Sequence, residues 1–587
     1  MFIQKRWLFV LIVSLSLVFG CFFYKNFVLK EETQKIEEAE KLEISAGVVP
    51  HHLLADQLIN NFFKELSNYS SSLKTVILFS PDHYNQTALT GGHFITVSPK
   101  TDIEQETKLP EIISVLTKNS LVKVNNFSVS QDQGVMNLMP FFQKYLPKIE
   151  VVPILISSLT TKEEIKELVD ELNKIISENT IFLASVDFSH YLPSPLLLLH
   201  DVKSIRTLLN FDEEEFQNLD VDSWQALYAI RYFAQLKQME EPKIIGHKTN
   251  YDFIESLPEN SLLNKEGGVS YYSVIFKEGI QQKISQNSIL FVGDIMMARG
   301  VSQLLDKYGL DYPFKKIKNI FRGIDIVYGN LEGPVMANAA PVSLYSVNFA
   351  YPPDIVELLK NLGFTVLNIA NNHIKDKGNQ GLEETRKYLK ENEIFSLGDY
   401  QSCDSKYYFQ QNNLILIGAN LTYGNNDCVE EILENVEKLQ KENPNLYIIV
   451  TPHWGKEYTP FPTEFQKNTS HNFIDKGVDA IIGHHSHVVQ LVEEYKGKPI
   501  FYSLGNFVFD MYFSKEVQQE LAVGMEINSK EVNFYLIPIK SEKSQLSLMN
   551  GDETLDFLTW LAEISSPSLE DSIQNGMIKI NLTKLKI

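Results

Sequence analysis

The chain has 587 residues, 44% hydrophobic and 22% charged, which is the balance of an ordinary globular protein. At roughly 150 residues per domain, this length predicts two to four domains. The formal net charge of -21 argues against a nucleic-acid-binding surface, because phosphate contacts require lysine and arginine. Three cysteines cannot form a disulfide framework, and we expect reduced thiols; a bridge between Cys403 and Cys428 is the alternative if the chain is exported.

Residues 1–24 have the pattern of a membrane anchor. Lys5 and Arg6 precede an uncharged apolar run of 18 residues, which would span ~27 Å as a helix. The positive-inside rule then predicts a single-pass protein of the cell membrane with its soluble domains outside the cytoplasm. A lipoprotein acylated at Cys21 is the alternative. Residues 25–43, rich in Lys, Glu and Gln, are predicted to form a solvated stalk.

Residues 44–280 alternate short apolar runs with amphipathic segments, which is typical of a sheet covered by helices. The predicted strands are Thr75–Ser80, Val151–Ile156 and Thr180–Val186, and the predicted helices are Lys162–Ser177 and Ser223–Leu236. Residues 281–288 are polar, lack apolar periodicity and are the predicted linker.

A second α/β pattern covers residues 289–545. Its predicted strands are Ile289–Val292, Ile324–Tyr328, Val366–Ile369, Leu414–Ile417, Tyr447–Val450, Ala480–Ile482 and Ile500–Ser503. Its predicted helices are Pro353–Leu362, Gly381–Asn392 and Val429–Glu442. Residues 546–587 carry a weaker signal and are predicted to be a small C-terminal appendage.

Polar side chains of this second unit cluster directly after its predicted strands, where open α/β sheets place their ligand sites. Five strand ends supply carboxylate, amide or imidazole groups, namely Asp294, Asn330 with Glu332, Asn371 with Asn372 and His373, His453, and His485 with His487. This set suits a hydrolytic site with one or two divalent ions. The absence of thiolate favours Mn, Fe, Zn or Mg. Each residue alone could instead have a structural role, such as a helix cap for Asp294. That all five strand ends carry such residues for structural reasons alone is much less expected.

Six motifs of this unit, in order, resemble the signature set of CapA-type capsule proteins. These are bacterial components of poly-γ-glutamate synthesis or export, related to calcineurin-like metallophosphoesterases. The motifs are Gly293-Asp294-Ile295-Met296, Gly329-Asn330-Leu331-Glu332-Gly333, Ala370-Asn371-Asn372-His373-Ile374-Lys375-Asp376-Lys377-Gly378, His453-Trp454-Gly455-Lys456-Glu457, Gly483-His484-His485-Ser486-His487 and Tyr502-Ser503-Leu504-Gly505-Asn506-Phe507. The resemblance implies an α/β/β/α sandwich, an anionic polymer such as poly-γ-glutamate or a phosphoester as substrate, and membrane partners of a capsule synthesis complex.

The resemblance also implies roles for individual residues. Asp294 would hold a first ion, and Asn330 or Glu332 would bridge. Asn372 and His453 would hold a second ion, His485 and His487 would complete the pair, and His373 would protonate a leaving oxygen. Met296 and Asn330 stand where the phosphoesterases have a second histidine ligand and a bridging aspartate. A site with one ion, or a protein that binds its substrate without turnover, therefore remains an alternative.

Histidines also follow strands in the first unit. Pro50-His51-His52, Pro81-Asp82-His83-Tyr84, Asp187-Phe188-Ser189-His190-Tyr191 and Gly267-Gly268-Val269-Ser270-Tyr271-Tyr272 resemble the Memo family. That family is the B component of the AmmeMemoRadiSam system, and its fold is related to extradiol dioxygenases. Its metal positions would map to His51, His83 and Asp222, the last in place of a cysteine, with His190 nearby. At Asp132–Met136, this chain lacks an acid and a histidine that the corresponding stretch of the family contains. We therefore expect a metal-binding or degenerate domain without oxidation chemistry.

The leading hypothesis is a membrane-anchored, extracytoplasmic protein of capsule or envelope polymer metabolism with a metal-dependent hydrolase in its second domain. One alternative is a polymer-binding scaffold without turnover. Another is a Memo-like metal-dependent redox protein centred on His51, His83 and Asp222. All three exclude nucleic acid as a partner.

Overall fold

The computed structural model describes residues 42–83, 95–97, 112, 116, 122–256, 267–280 and 282–582. The predicted anchor, the alternative lipoprotein cysteine and the stalk up to residue 41 lie outside the described residues. Within the described ranges, no helix combines the length and the apolarity needed to cross a bilayer. The chain is a mixed α/β protein with three sheets.

The first half is built on one nine-stranded sheet. Its strands are β1 Ile44–Val49, β2 Thr75–Pro81, β3 Ile95–Val97, β4 Val122–Val124, β5 Glu150–Ile156, β6 Thr180–Ser185, β7 His190–Leu192, β8 Glu241–Thr249 and β9 Gly268–Lys277. They are ordered β4-β3-β5-β2-β6-β1-β9-β7, with β8 also on β9. The central strands β5, β2, β6 and β1 run parallel, so their carboxyl ends meet at one edge.

Helices cover both faces of this sheet. They are α1 Asp56–Leu66, α2 Asn126–Gln131, α3 Gln133–Met136, α4 Met139–Tyr145, α5 Lys162–Ile175, α6 Ser194–Asn210 and α7 Trp224–Leu236. Helices α5 and α7 pack on one face, and α1 and α4 pack on the other. A capping box at Thr161 and Glu164 starts α5, whose buried residues Ile165, Leu168 and Leu172 recur at helical spacing.

The second half is built on two sheets. The strands are β10 Gln286–Ile295, β11 Ile326–Leu331, β12 Val366–Asn368, β13 Phe395–Leu397, β14 Phe409–Gln411, β15 Leu414–Asn420, β16 Tyr447–His453, β17 Ala480–Ile482, β18 Val492–Tyr495, β19 Lys498–Phe501, β20 Asn506–Val508, β21 Gln519–Asn528, β22 Glu531–Glu542, β23 Gln545–Leu548 and β24 Met577–Asn581. One sheet is ordered β13-β12-β11-β10-β21-β22-β23, with β20 on β10 and β24 on β22. The other is ordered β14-β15-β16-β17-β19-β18.

The two sheets pack face to face and are covered on the outside by helices. Apolar residues of both sheets share one core between them. Helices on the outer faces are α8 Arg299–Tyr308, α9 Asp354–Leu362, α10 Gly378–Glu391, α11 Asn426–Glu442 and α12 Glu464–Lys476. The parallel strands β10, β11, β16 and β17 end at the same edge of this sandwich, and the predicted site residues lie at or after their last residues.

Helix α6 joins the two halves. Leu196, Leu197 and Leu199 at its start belong to the outer core of the second half, whereas Leu208 and Leu209 at its end belong to the core of the first. Polar contacts also hold the two halves together where they meet along α6. The Arg206 guanidinium forms two hydrogen bonds, of 2.7 and 3.0 Å, with the Asp325 carboxylate.

The predicted strands and helices of both halves are found at their expected positions. Other elements, such as helix α6, were not predicted, and three differences concern the linker, the antiparallel strands and the appendage. Strand β10 begins at Gln286, inside the predicted linker, and the long antiparallel strands β21 and β22 were not predicted. The predicted appendage contributes β24, which pairs with β22, as well as α13 Gly551–Ile564 and α14 Glu570–Gln574. It packs into the core between the sheets because Phe557, Leu558 and Leu561 line the inner side of α13.

The expectation of reduced thiols was wrong, because Cys403 and Cys428 form a disulfide with their Cα atoms 5.3 Å apart. Both residues are buried in the apolar core between α11 and its sheet. The bridge ties the segment after β13 to the start of α11.

We expect the variant Cys403→Ala with Cys428→Ala to lose about 3 kcal/mol of unfolding free energy, because the bridge closes a loop of 25 residues in the unfolded chain. Thermal unfolding with and without dithiothreitol measures this. The reductant should lower the Tm of the wild type toward that of the variant and leave the variant unchanged. An unaltered wild-type Tm would show that the bridge does not stabilise the fold.

Candidate metal sites

The predicted residues of the second half meet at the carboxyl edge of the sandwich. Parallel pairing of β10 with β11 sets Asp294 opposite Asn330, and β20 sets Asn506 opposite Asp294. A bridge between the last residue of β16 and the loop that follows β17 pairs His453 with His484. Hydrogen bonds between strands from different parts of the chain therefore build one buried cluster.

Asp294 is the acid at the centre of this cluster, and it is fully buried. Its carboxylate lies 3.4 Å from the Nδ1 atoms of both His484 and His487. It also accepts hydrogen bonds from the Asn330 amide at 2.8 Å and the His485 backbone N–H at 3.3 Å. Burial opposes ionisation, but the contacts from His484 and His487 outweigh it and hold the pKa of Asp294 well below its usual range.

His453 and His485 are both held neutral. The His453 Nε2 atom lies 2.8 Å from the Asn372 side-chain oxygen, 3.1 Å from His485 Nδ1 and 3.6 Å from a Glu332 oxygen. Burial and the neighbouring His485 lower the pKa of His453 well below its usual value. Burial and His487 lower the pKa of His485 to about 4. Neutral imidazole is the form that binds metal, so both rings are prepared as ligands.

Glu332 gives the clearest sign that the cluster fits a cation. Burial, and secondarily the charge of Asp294, raises the pKa of Glu332 well above its usual range. One carboxylate oxygen, Oε2, is buried without a hydrogen-bond partner among the described residues. A buried acid of this kind is costly unless a cation or a proton satisfies it. Ligand atoms of Asp294, Glu332 and His487 lie within 4.8 Å of one another, as do those of Glu457, His485 and His487.

The loop that presents the histidines is strained. His485 has a φ of 91° and His487 a φ of 57°, both in the left-handed region that residues other than glycine rarely adopt. Such conformations concentrate at functional sites, where the surrounding structure holds them. Here Tyr458 helps to hold the loop, because its N–H donates a hydrogen bond of 2.8 Å to the Ser486 carbonyl between the two histidines.

The two departures from the phosphoesterase pattern have different consequences. Met296 is buried in the apolar core on the outer side of its sheet, and its sulfur accepts a hydrogen bond from the Ala298 N–H. Asn330 faces the cluster with its amide nitrogen, which donates to Asp294, and its oxygen accepts from Asn371 at 3.2 Å. Glu332 is the acid beside Asn330, with a carboxylate oxygen 3.4 Å from the Asn330 amide nitrogen.

His373 lies beside the cluster without joining the candidate ligand groups. Its Nδ1 atom is 3.0 Å from the Asp376 carboxylate, and its ring packs on Phe349 with centroids 4.4 Å apart. Asp376 therefore fixes the orientation of the ring and leaves Nε2 to face other partners.

Several residues of this site were not assigned roles from the sequence. His484, Glu457 and Asn506 lie within the quoted motifs, so their positions after strands could have indicated them. Asn506 binds the His487 Nδ1 atom with its side-chain oxygen at 2.9 Å. Glu520 carries no such signal, because it comes from β21, and yet it accepts a hydrogen bond from the Gly293 N–H at 2.7 Å.

The first half brings its four predicted residues together in a second cluster. Ligand atoms of His51, His83 and Asp222 lie within 4.8 Å of one another, and so do those of Asp187, His190 and Asp222. The His51 Nε2 atom is 3.6 Å from both Asp187 and Asp222. Asp187 was quoted in a motif but was not assigned to the site.

The electrostatics of this second cluster also fit a cation. Burial, and then the charge of Asp187, raises the pKa of Asp222 well above its usual range, and its Oδ1 atom has no partner among the described residues. Burial lowers the pKa of His51 and of His190. Asp132 lies in the stretch expected to have lost an acid, but it bonds the His83 Nδ1 atom at 2.9 Å and orients that ring.

Comparison with known proteins matches each half separately. Residues 288–511 match the family model "Bacterial capsule synthesis protein PGA_cap", and residues 24–265 match the model "Memo-like protein". Both resemblances are confirmed. We refer to the matched parts as the PGA_cap segment and the Memo-like segment.

Individual relatives agree with this division. The chain is 33% identical to "Capsule biosynthesis protein CapA" of Bacillus anthracis over 251 residues, 39% of this chain and 61% of that protein. It is 34% identical to "PGA biosynthesis protein CapA" of Bacillus subtilis over 249 residues, 39% of this chain and 64% of that protein. A MEMO1 family protein of Pyrobaculum aerophilum is 25% identical over 179 residues, 29% of this chain and 62% of that protein. The chain thus spans less than two thirds of each of these relatives.

Proposed function

We propose that this protein acts outside the cytoplasm in the synthesis or export of an anionic envelope polymer, poly-γ-glutamate or a related one. Its PGA_cap segment would be a metal-dependent hydrolase. The observation that carries the proposal is the convergence of Asp294, Glu332, His453, His485 and His487 on one buried cluster in which a Glu332 oxygen has no partner among the residues that the structure describes. The names of the capsule relatives support the choice of polymer.

The residues of the chain would divide the work as follows. Asp294, Glu332, His487, His485, His453 and Asn372 would hold one or two divalent ions. When bound, such ions supply positive charge against the negative charge that develops on a phosphoryl or carbonyl oxygen. His373, which contacts Asp376 through Nδ1, would give a proton to the leaving group from Nε2. The cluster is buried, which excludes bulk water except on the side of an open cavity lined by Asn372 and His485.

We further propose a calcineurin-like α/β/β/α sandwich for the PGA_cap segment and an extradiol-dioxygenase-like sheet for the Memo-like segment. The shared core between two helix-covered sheets supports the first of these. Residues 1–24 would anchor the protein in the membrane, as the positive charges before an apolar run suggest. The disulfide supports an oxidising compartment outside the cytoplasm.

A scaffold that binds polymer without turnover is the second candidate. The amide of Asn330 favours it, because a hydrogen-bond donor faces Asp294 where a bridging carboxylate would bind ions more strongly. The buried side chain of Met296, in place of a ligand, favours it as well.

Screening the full-length chain tests the proposal. We expect hydrolysis of bis-p-nitrophenyl phosphate or of poly-γ-glutamate with Mn²⁺, Fe²⁺, Zn²⁺ or Mg²⁺, because the cluster is prepared to hold such ions. The double variant His485→Ala with His487→Ala should lose this turnover and its share of bound metal in elemental analysis. His51→Ala with Asp222→Asn should lose only the metal of the Memo-like segment. Tight polymer binding with no product under any metal would favour the scaffold, and unchanged metal content in the first variant would refute the site.

A further inference from the structure

An open cavity of about 500 Å³ lies in front of the buried cluster of the PGA_cap segment. Its wall contains hydroxyl, amide and aromatic groups, and His485 of the cluster is one of the lining residues. The lining residues are Asn372, Thr422, Tyr423, Gly455, Lys456, Glu457, Tyr458 and His485. Any substrate that reaches the cluster through this cavity contacts these side chains.

The segment that carries Lys456 is held firmly against the cluster. Gly455 has a φ of 99°, and a Cβ there would meet the Gln466 side chain at 2.6 Å. Gln466 in turn donates to Gln490 at 2.9 Å, and Gln490 donates to the Thr459 and Phe461 carbonyls. The turn between His453 and Phe461 is therefore fixed by buried amides.

Lys456 is the one lysine or arginine among the residues that line the cavity. Among the described residues it has no ion pair and no hydrogen bond, although the chain carries a net charge of -21. The acids nearby, Asp294 and Glu457, repel an anion. Lys456 supplies the positive charge with which the chain itself could attract one.

Exposed aromatic rings flank this lysine. Tyr423 is 80% exposed and Tyr458 is 47% exposed, so each offers a large free face at the cavity. Tyr458 is fixed between His487, with ring centroids 6.0 Å apart, and Phe513, at 5.3 Å. Rings of this kind contact the apolar stem of a chain between its charged groups.

We infer that Lys456 is the residue by which the cavity recognises its substrate. It binds a carboxylate or phosphate group of the substrate next to the bond to be hydrolysed, which lies at the cluster. Tyr423 and Tyr458 contact the apolar stem of the substrate between its successive charged groups. The substrate class is a flexible chain with one anionic group per repeat. This inference deepens the proposed function and rests on it for the reaction, but the anion binding itself does not depend on turnover.

Equilibrium binding to the full-length chain tests the inference with two probes, a γ-linked glutamate oligomer and a glycerol phosphate oligomer. Lys456→Ala should weaken binding of at least one probe about 5- to 30-fold, and Lys456→Arg should keep it within about threefold, because both basic side chains pair with anions. Lys316→Ala is the matched control, an exposed lysine that does not line the cavity, and should leave the affinity unchanged. Preference for one probe identifies the anion as carboxylate or phosphate.

Kinetics separate recognition from catalysis. On a hydrolysed anionic substrate, Lys456→Ala should raise KM by the same factor and keep kcat within about threefold. If the wild type binds a probe but hydrolyses nothing, the hydrolase proposal fails and the loss of binding in Lys456→Ala still supports the inference. Equal affinities of wild type and Lys456→Ala for both probes, or no binding of either by the wild type, would overturn it.

Discussion

Replacing Asp294 with asparagine should reduce metal-dependent turnover about 10²- to 10³-fold, because it removes the negative charge at the centre of the ligand cluster. The substitution keeps the shape of the side chain and the oxygen that accepts from Asn330. It loses the carboxylate that faces His484 and His487. Metal content by elemental analysis and initial rates on bis-p-nitrophenyl phosphate provide the measurement.

Asp306→Asn is the control for this substitution, because Asp306 is an exposed acid on α8 away from the cluster. It removes the same charge and should leave both metal content and rate within about twofold. Thermal unfolding of Asp294→Asn should show a folded protein, since one hydrogen bond, from the His485 N–H, loses its acceptor at a cost of about 1 kcal/mol. Full turnover in Asp294→Asn would remove this residue from the mechanism.

Asp325→Ala should lower the free energy of unfolding by about 3 kcal/mol, because it removes the bidentate partner of Arg206 at the boundary between the two halves and leaves that guanidinium only the more distant Asp212, at 3.8 Å. The Arg206 and Asp325 side chains are only 13% and 6% exposed. The same carboxylate accepts hydrogen bonds from the N–H and hydroxyl of Ser288. Scanning calorimetry should show a lower Tm and a separation of the unfolding transitions of the two halves.

The exposed pair of Lys315 and Asp311 provides the comparison. Its side chains are 44% and 61% exposed, so Asp311→Ala should cost less than about 1 kcal/mol. Combining Arg206→Met with Asp325→Asn removes both charges and should recover part of the stability lost in Asp325→Ala. A cost for Asp325→Ala no larger than that for Asp311→Ala would contradict a structural role for the boundary pair.

The sequence predicted the parts of the site that depend on local order. Asp294, Asn330, His453 and His487 could be found because each lies shortly after a predicted apolar strand, and parallel strands bring such positions to one edge. The short apolar runs that mark those strands were recognisable for the same reason. The ligand roles assigned from the resemblance remain predictions, although the structure brings all of these residues except His373 into shared groups or direct contact.

The parts that could not be predicted depend on pairing between distant segments. Glu520 lies beside Gly293 only because β21 pairs antiparallel with β10, more than 200 residues earlier in the chain. The Cys403–Cys428 bridge depends on how α11 packs over its sheet, and spacing alone does not specify that packing. Asp132 reaches His83 across 49 residues, and the family pattern had indicated a lost acid there.

Helix α6 has a practical consequence for work on the separate halves. Its first turns complete the outer apolar core of the PGA_cap segment, yet its sequence precedes the interval 281–285 at which a boundary would naturally be cut. Truncation there would leave strands β10, β21 and β22 of the second half without one of their covering elements, so that their apolar side chains would be exposed. On the fragment of the first half, it would expose Leu196, Leu197 and Leu199. Recombinant fragments of the second half should therefore be insoluble unless residues 194–210 are supplied with them.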